Sequence, residues 1–214
     1  MFDAWPISFM GNDQGPPAPP YPADGWEVLA HMTAPVDNLF DFNGIDLTEY
    51  QRLVLLLDEL VVDTDGTQIM LQLGIDDVLM VSGYRYYAIG IASSGSANDI
   101  AISSTSAPEI VLTGAATDAA NASFSTRIEI SNADAALFKN IAYGGTRRTS
   151  GGSAFRITGG GVLEQTGDIT SLLISSADGL ITAGRTTLYG VAKGPRAGSP
   201  VTPALQSFWV GALT

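Results

Sequence analysis

Short apolar runs, each closed by Gly, Asn, Asp or Ser, follow one another through residues 39–193. The clearest is residues 124–130, where Phe124, Thr126, Ile128 and Ile130 fall on one face and Ser125, Arg127 and Glu129 on the other. A period of two is the mark of a half-buried strand, and many such strands at close spacing can bury their apolar faces only in a sandwich or barrel. Leu39-Phe40-Asp41-Phe42 ends at Asn43-Gly44, and residues 52–57 continue through Leu60-Val61-Val62 to Asp63-Thr64-Asp65-Gly66. Residues 68–73 follow at once, so Asp65-Gly66 reads as a hairpin turn. Further runs are residues 85–91, residues 100–102 and 110–112 on either side of a serine-rich stretch, and Ile141-Ala142-Tyr143. Residues 169–174 and 186–191 complete the series, with Gly144-Gly145 and Gly159-Gly160-Gly161 as breaks. Glu49-Tyr50-Gln51-Arg52, with Asp46 or Thr48 as N-cap, has the form of a helix start. The unbroken run from Leu53 and the β-branched Val61-Val62 favour a strand instead. The expectation is roughly nine or ten strands in an all-β, antiparallel, jelly-roll-like β-sandwich with extended N- and C-terminal arms.

The ends differ from the centre. Residues 1–38 hold seven of the 11 prolines, including Pro16-Pro17-Ala18-Pro19-Pro20-Tyr21-Pro22. Proline fixes φ and cannot donate to a ladder, so this stretch reads as an extended, semi-rigid arm. It also carries Phe2, Trp5, Ile7, Phe9, Tyr21, Trp26 and Val28, and residues 194–214 end in the apolar Phe208-Trp209-Val210. All three tryptophans fall outside residues 39–193. Trp5, Phe9, Tyr21, Trp26, Phe208 and Trp209 are therefore expected as assembly anchors, packed against neighbouring subunits. The domain reading is a Pro-rich anchoring arm (1–38), a sandwich (39–193) and a C-terminal extension (194–214).

Several chemistries lack their residues. With no cysteine there is no disulfide, thiolate metal site or thiol catalysis, and the single histidine, His31, leaves no multi-histidine site. No nucleophile elbow, P-loop or dinucleotide fingerprint is present, so neither an enzyme nor a cofactor is expected. No apolar run is long enough to span a bilayer and the first residues carry no basic n-region, which points to a soluble, cytoplasmically made protein without membrane insertion. Residues 1–84 contain 14 acidic residues and one basic residue, Arg52, whereas residues 85–214 contain 8 acidic and 9 basic. Such a negative half repels phosphate backbones and suits solubility or a partner with a basic docking surface.

Three places could carry binding chemistry. Asp63-Thr64-Asp65-Gly66 resembles the opening of a calcium loop, but the following residues are already strand and supply no downstream bidentate Glu. Arg147 and Arg148, the only basic doublet, sit on a glycine-rich stretch where a ligand or a neighbouring subunit could meet them. Tyr84, Tyr86 and Tyr87 are the densest aromatic cluster of the domain and could stack on saccharides. Tyr86 and Tyr87 must face opposite sides of a strand, so one of them belongs to the core. Asp58-Glu59 interrupts its apolar run as a bulge or an edge-strand guard would, and Asp76-Asp77 reads as a solvated strand end.

The segment Ile169-Thr170-Ser171-Leu172-Leu173-Ile174, followed by residues 178–191 with Ala183-Gly184-Arg185 and Leu188-Tyr189-Gly190-Val191, resembles a closing pattern of tailed-phage structural proteins. The domains that carry it look like jelly-roll sandwiches of tail fibres and head spikes, including those of phage-derived gene transfer particles. The glycines there permit a tight corner and Leu188 fills the core. The resemblance implies a non-enzymatic virion component, a head-spike or tail-fibre subunit or its base, docked by its N-terminal arm at a capsid vertex, tail or fibre. It would sit on the particle surface as a trimer or pentamer and contribute to attachment to host polysaccharide. A carbohydrate-binding module and a capsid decoration protein that stabilises the shell are the alternatives.

Overall fold

The computed structural model describes residues 25–33, 39–64, 67–92, 97–113, 123–148 and 154–193. These form thirteen strands: β1 (Trp26–Thr33), β2 (Leu39–Asn43), β3 (Tyr50–Val62), β4 (Ile69–Ile75), β5 (Val78–Leu79), β6 (Tyr84–Ala92) and β7 (Ala97–Ala107). The series continues with β8 (Ile110–Val111), β9 (Ser123–Ser131), β10 (Lys139–Arg148), β11 (Ala154–Leu163), β12 (Ile169–Ser176) and β13 (Ile181–Ala192). Eight strands make one sheet in the order β1-β13-β3-β9-β10-β11-β6-β7, and β2-β12-β4-β5 make the other, with β8 also beside β4. The described pairings are antiparallel, and the two sheets pack into a β-sandwich.

Alternation decides which face is buried. Leu53, Leu55 and Leu57 of β3, Ile128 and Ile130 of β9, and Ile141 and Tyr143 of β10 point inward. They meet Phe40, Phe42, Leu71, Leu73, Leu172 and Ile174 from the smaller sheet. Leu188, which the resemblance implies as core, is fully buried.

Four expectations need correction. The sheet does not begin at Leu39: β1 lies within the stretch read as an arm and pairs with β13, its bulge at Leu29 masking the period of two. Gly144-Gly145 and Gly159-Gly160-Gly161 do not break strands but lie inside β10 and β11, where Gly159 stands opposite Tyr143 and Gly161 opposite Ile141. A Cβ at Gly159 would sit 2.4 Å from the Tyr143 ring, and one at Gly161 2.5 Å from the Arg85 carbonyl oxygen, so close packing explains these glycines. The serine-rich stretch lies within β7. Finally, β3 and β4 belong to different sheets, so the connection through residues 65–66, which lie outside the described residues, joins no hairpin. Instead the Asp63 carboxylate accepts the Leu180 N–H at 2.6 Å and the Thr64 hydroxyl at 3.0 Å, tying this corner to the β12–β13 turn.

Residues 50–62 are a strand, and Asp58-Glu59 marks a bulge in its interior. Glu59 has φ of 54° and the register with β9 slips between Leu57 and Leu60. Gly184, with φ of 115°, makes the matching irregularity on β13. Asp76 and Asp77, at φ of 49° and 64°, form a two-residue primed turn between β4 and β5.

Candidate functional site

Among the described residues, Trp26, Tyr84, Tyr86, Arg147 and Arg148 do not converge on one site. Tyr84 is fully buried, and its hydroxyl accepts the Leu73 N–H at 2.7 Å. Tyr86 is also in the core, while Tyr87 faces outward and is 60% exposed. The saccharide-stacking role expected of Tyr84 and Tyr86 is therefore corrected, because inward-facing positions of β6 cannot meet a ligand. Arg147 is buried too, its guanidinium 4.7 Å from the centre of the Phe155 ring, so it is a packing element of the β10–β11 hairpin. Arg148 alternates outward and is exposed.

Trp26 packs on its own chain. Its ring centre lies 5.7 Å from that of Tyr189, and the Arg127 guanidinium stands 4.7 Å from its centre. Trp26 lies on β1 and Arg127 on β9, so their contact spans β13 and β3 between them. The assembly-anchor role expected of Trp26 is thereby corrected. Trp5, Phe9, Tyr21, Phe208 and Trp209 lie outside the described residues, as does Asp65. Among the described residues, no group of three or more His, Cys, Asp or Glu is arranged to hold a metal ion.

What the fold does assemble is a depression of about 580 Å³ on the outer face of the larger sheet. Register builds it. His31, Thr187, Leu56, Arg127 and Gly144 stand side by side in one row across β1, β13, β3, β9 and β10. The row above contains Tyr189 and Glu129, and the row below contains Arg185, Asp58, Ser125 and Thr146. The paired bulges at Glu59 and Gly184 set this lower row: Arg185 comes directly opposite Asp58 and donates from Nε at 2.8 Å. That bond and the charge beside it raise the Arg185 pKa, so the guanidinium stays charged.

The other polar groups are also positioned. The Ser125 hydroxyl accepts the Glu59 N–H at 2.9 Å and donates to Asp58 at 3.4 Å. His31 Nδ1 and the Thr187 hydroxyl are 2.8 Å apart, and Arg127 pairs with Glu129 at 2.7 Å. Gly144 leaves the floor open, with nothing nearer than 3.8 Å to a Cβ placed there. Paired donors and acceptors around an apolar floor of Leu56 and Tyr189 suit a neutral, hydroxyl-rich ligand better than a bare ion.

Little of this site could be read from sequence. The outward Arg127 and Glu129 follow from alternation, and Arg185 and Tyr189 lie in the closing pattern. The meeting of His31, Asp58 and Ser125 needed the register of strands far apart in the chain. No protein-family model, curated protein or solved structure matches this chain.

Proposed function

We propose that the chain is a structural subunit of a phage or phage-like particle, a head-spike or tail-fibre component or its base, that contributes to host attachment by holding surface polysaccharide. The observation that carries this reading is the outer-face depression, in which two arginines, a histidine, a carboxylate and hydroxyls border an open glycine floor. The closing pattern in β12 and β13 supports the particle context.

The same face continues into an exposed apolar stripe, Tyr87, Ile89 and Ile91 on β6. Exposed apolar side chains in a row favour contact with another subunit, and this stripe is the surface we assign to trimer or pentamer formation. Glycan recognition and subunit contact would then occupy opposite halves of one sheet.

The test uses the full chain on an array of bacterial surface polysaccharides, beside a Gly144→Leu variant that fills the floor. Binding is expected for the native chain and a loss of at least about tenfold for the variant, with unchanged unfolding temperature. Equal binding by both proteins removes the depression from the reading. Labelled protein imaged on purified particles tests the context, and absence from them rejects it.

A further inference from the structure

On one side the sandwich ends in two strand edges, β1 in the larger sheet and β2 in the smaller. Among the described residues each pairs along one side only. Between them runs a groove of about 710 Å³. Its floor is core material left half covered: Leu29, Ala30, Met32 and Ile45 pack against the buried cluster yet stay partly exposed. Among the described residues the larger sheet thus overhangs the smaller one, and none of them forms a strand opposite the inner face of β1.

The charged residues lining this groove are Asp41, Asp46 and Glu49, all acidic. Asp46 accepts the Thr48 hydroxyl at 2.6 Å and its N–H at 2.9 Å, which lowers its pKa and keeps it ionised. A free strand edge is a template for one more strand, with main-chain hydrogen bonds supplying affinity and alternate side chains supplying specificity.

We propose that this groove binds an extended, basic segment of another protein, added as a strand to the free edge of β2. Its apolar side chains would alternate onto Leu29 and Met32, completing the core opposite β1, and its arginines or lysines would meet Asp41, Asp46 and Glu49. The chain's own ends supply little of the positive charge these carboxylates would meet. Residues 1–24 carry Asp3, Asp13 and Asp24 and no basic residue, and residues 194–214 carry only Arg196. A second copy, at net charge −12, is disfavoured on the same ground. This inference is independent of the particle reading, since it rests on the groove alone.

The probe is a fluorescent peptide of about eight residues alternating arginine and valine, a usual strand length, titrated with the full chain. One control replaces arginine with glutamate, and another carries N-methyl groups on alternate backbone nitrogens. The arginine peptide is expected to bind and to weaken with added salt, while the glutamate peptide does not bind. N-methylation and the Asp41→Asn/Glu49→Gln variant should each weaken binding about tenfold or more. Should that variant fail to fold, Asp41→Lys at an exposed position gives the same reading. Equal binding of the glutamate peptide, an unaffected variant, or no saturation by the arginine peptide at millimolar concentration overturns the proposal. Equal binding of the N-methylated peptide overturns strand addition.

Discussion

Lys139 is fully buried, an uncommon place for an ammonium group. Its Nζ donates to the Asn132 and Ala135 carbonyl oxygens, both at 2.7 Å, and so ties the β9–β10 loop to the sandwich. Burial lowers its pKa against the opposing pull of Asp168, Asp134 and Asp76. Lys139→Met should cost about 1–2 kcal/mol, because two carbonyls lose their donor, and amide exchange across residues 133–138 should quicken. Tyr84 shows why an aromatic cluster in a sequence need not be a ligand site. Leu73 falls between the positions where β5 and β8 pair with β4, and the Tyr84 hydroxyl satisfies the N–H left over there. Burial raises that hydroxyl to a pKa of about 12. A phenol in the unfolded chain ionises near pH ~10, so the stability it contributes is intact below that pH and drains as the solution is raised towards 12. Tyr143, whose hydroxyl donates to the Val111 carbonyl at 2.9 Å, shifts the same way. Tyr84→Phe should cost about 1–2 kcal/mol at neutral pH and make the alkaline loss of stability shallower. Denaturant unfolding at neutral and alkaline pH measures both effects, and an unchanged alkaline slope would place the titration elsewhere.

At the level of elements, the β10–β11 hairpin separates two uses of glycine. Gly144 faces outward, where a Cβ would meet nothing nearer than 3.8 Å, whereas Gly159 faces inward against the Tyr143 ring and the Tyr87 carbonyl oxygen. Gly144→Ala should change stability by no more than about 0.5 kcal/mol, while Gly159→Ala should cost about 1–3 kcal/mol through overpacking. Denaturation midpoints of the two variants give the comparison directly. The same hairpin shows where sequence reading stops. Alternation in residues 124–130 places β9 correctly because each inward side chain is apolar. In β11 the inward positions Gly159 and Gly161 carry no side chain, so the period vanishes although the strand continues. β5 and β8 are too short to show a period, and β1 hides its own behind a bulge. The outer-face depression was illegible for a related reason: its polar groups occupy solvent positions that any outward side chain could fill, and only register joins them.

Across the whole molecule, the boundary between arm and sandwich falls before Trp26 rather than at residue 39. The Gly25 carbonyl oxygen accepts the Ala192 N–H at 3.3 Å, and β1 then protects one edge of the larger sheet. Trp26 packs on Tyr189 and Arg127 across the outer surface, and the Tyr50 hydroxyl donates to Glu27 at 2.7 Å through the space that Gly190 leaves clear. A chain lacking residues 1–24 therefore retains every described contact and should unfold within a few degrees of the full protein. A chain lacking residues 1–38 loses β1 and Trp26 together, which should cost at least about 3 kcal/mol. It also bares the β13 edge, and an unprotected edge promotes association between copies. Thermal unfolding and light scattering of the two truncations distinguish these outcomes. Equal stability of both would mean that β1 contributes nothing to the fold, and the acidic groove that depends on it would lose one of its walls.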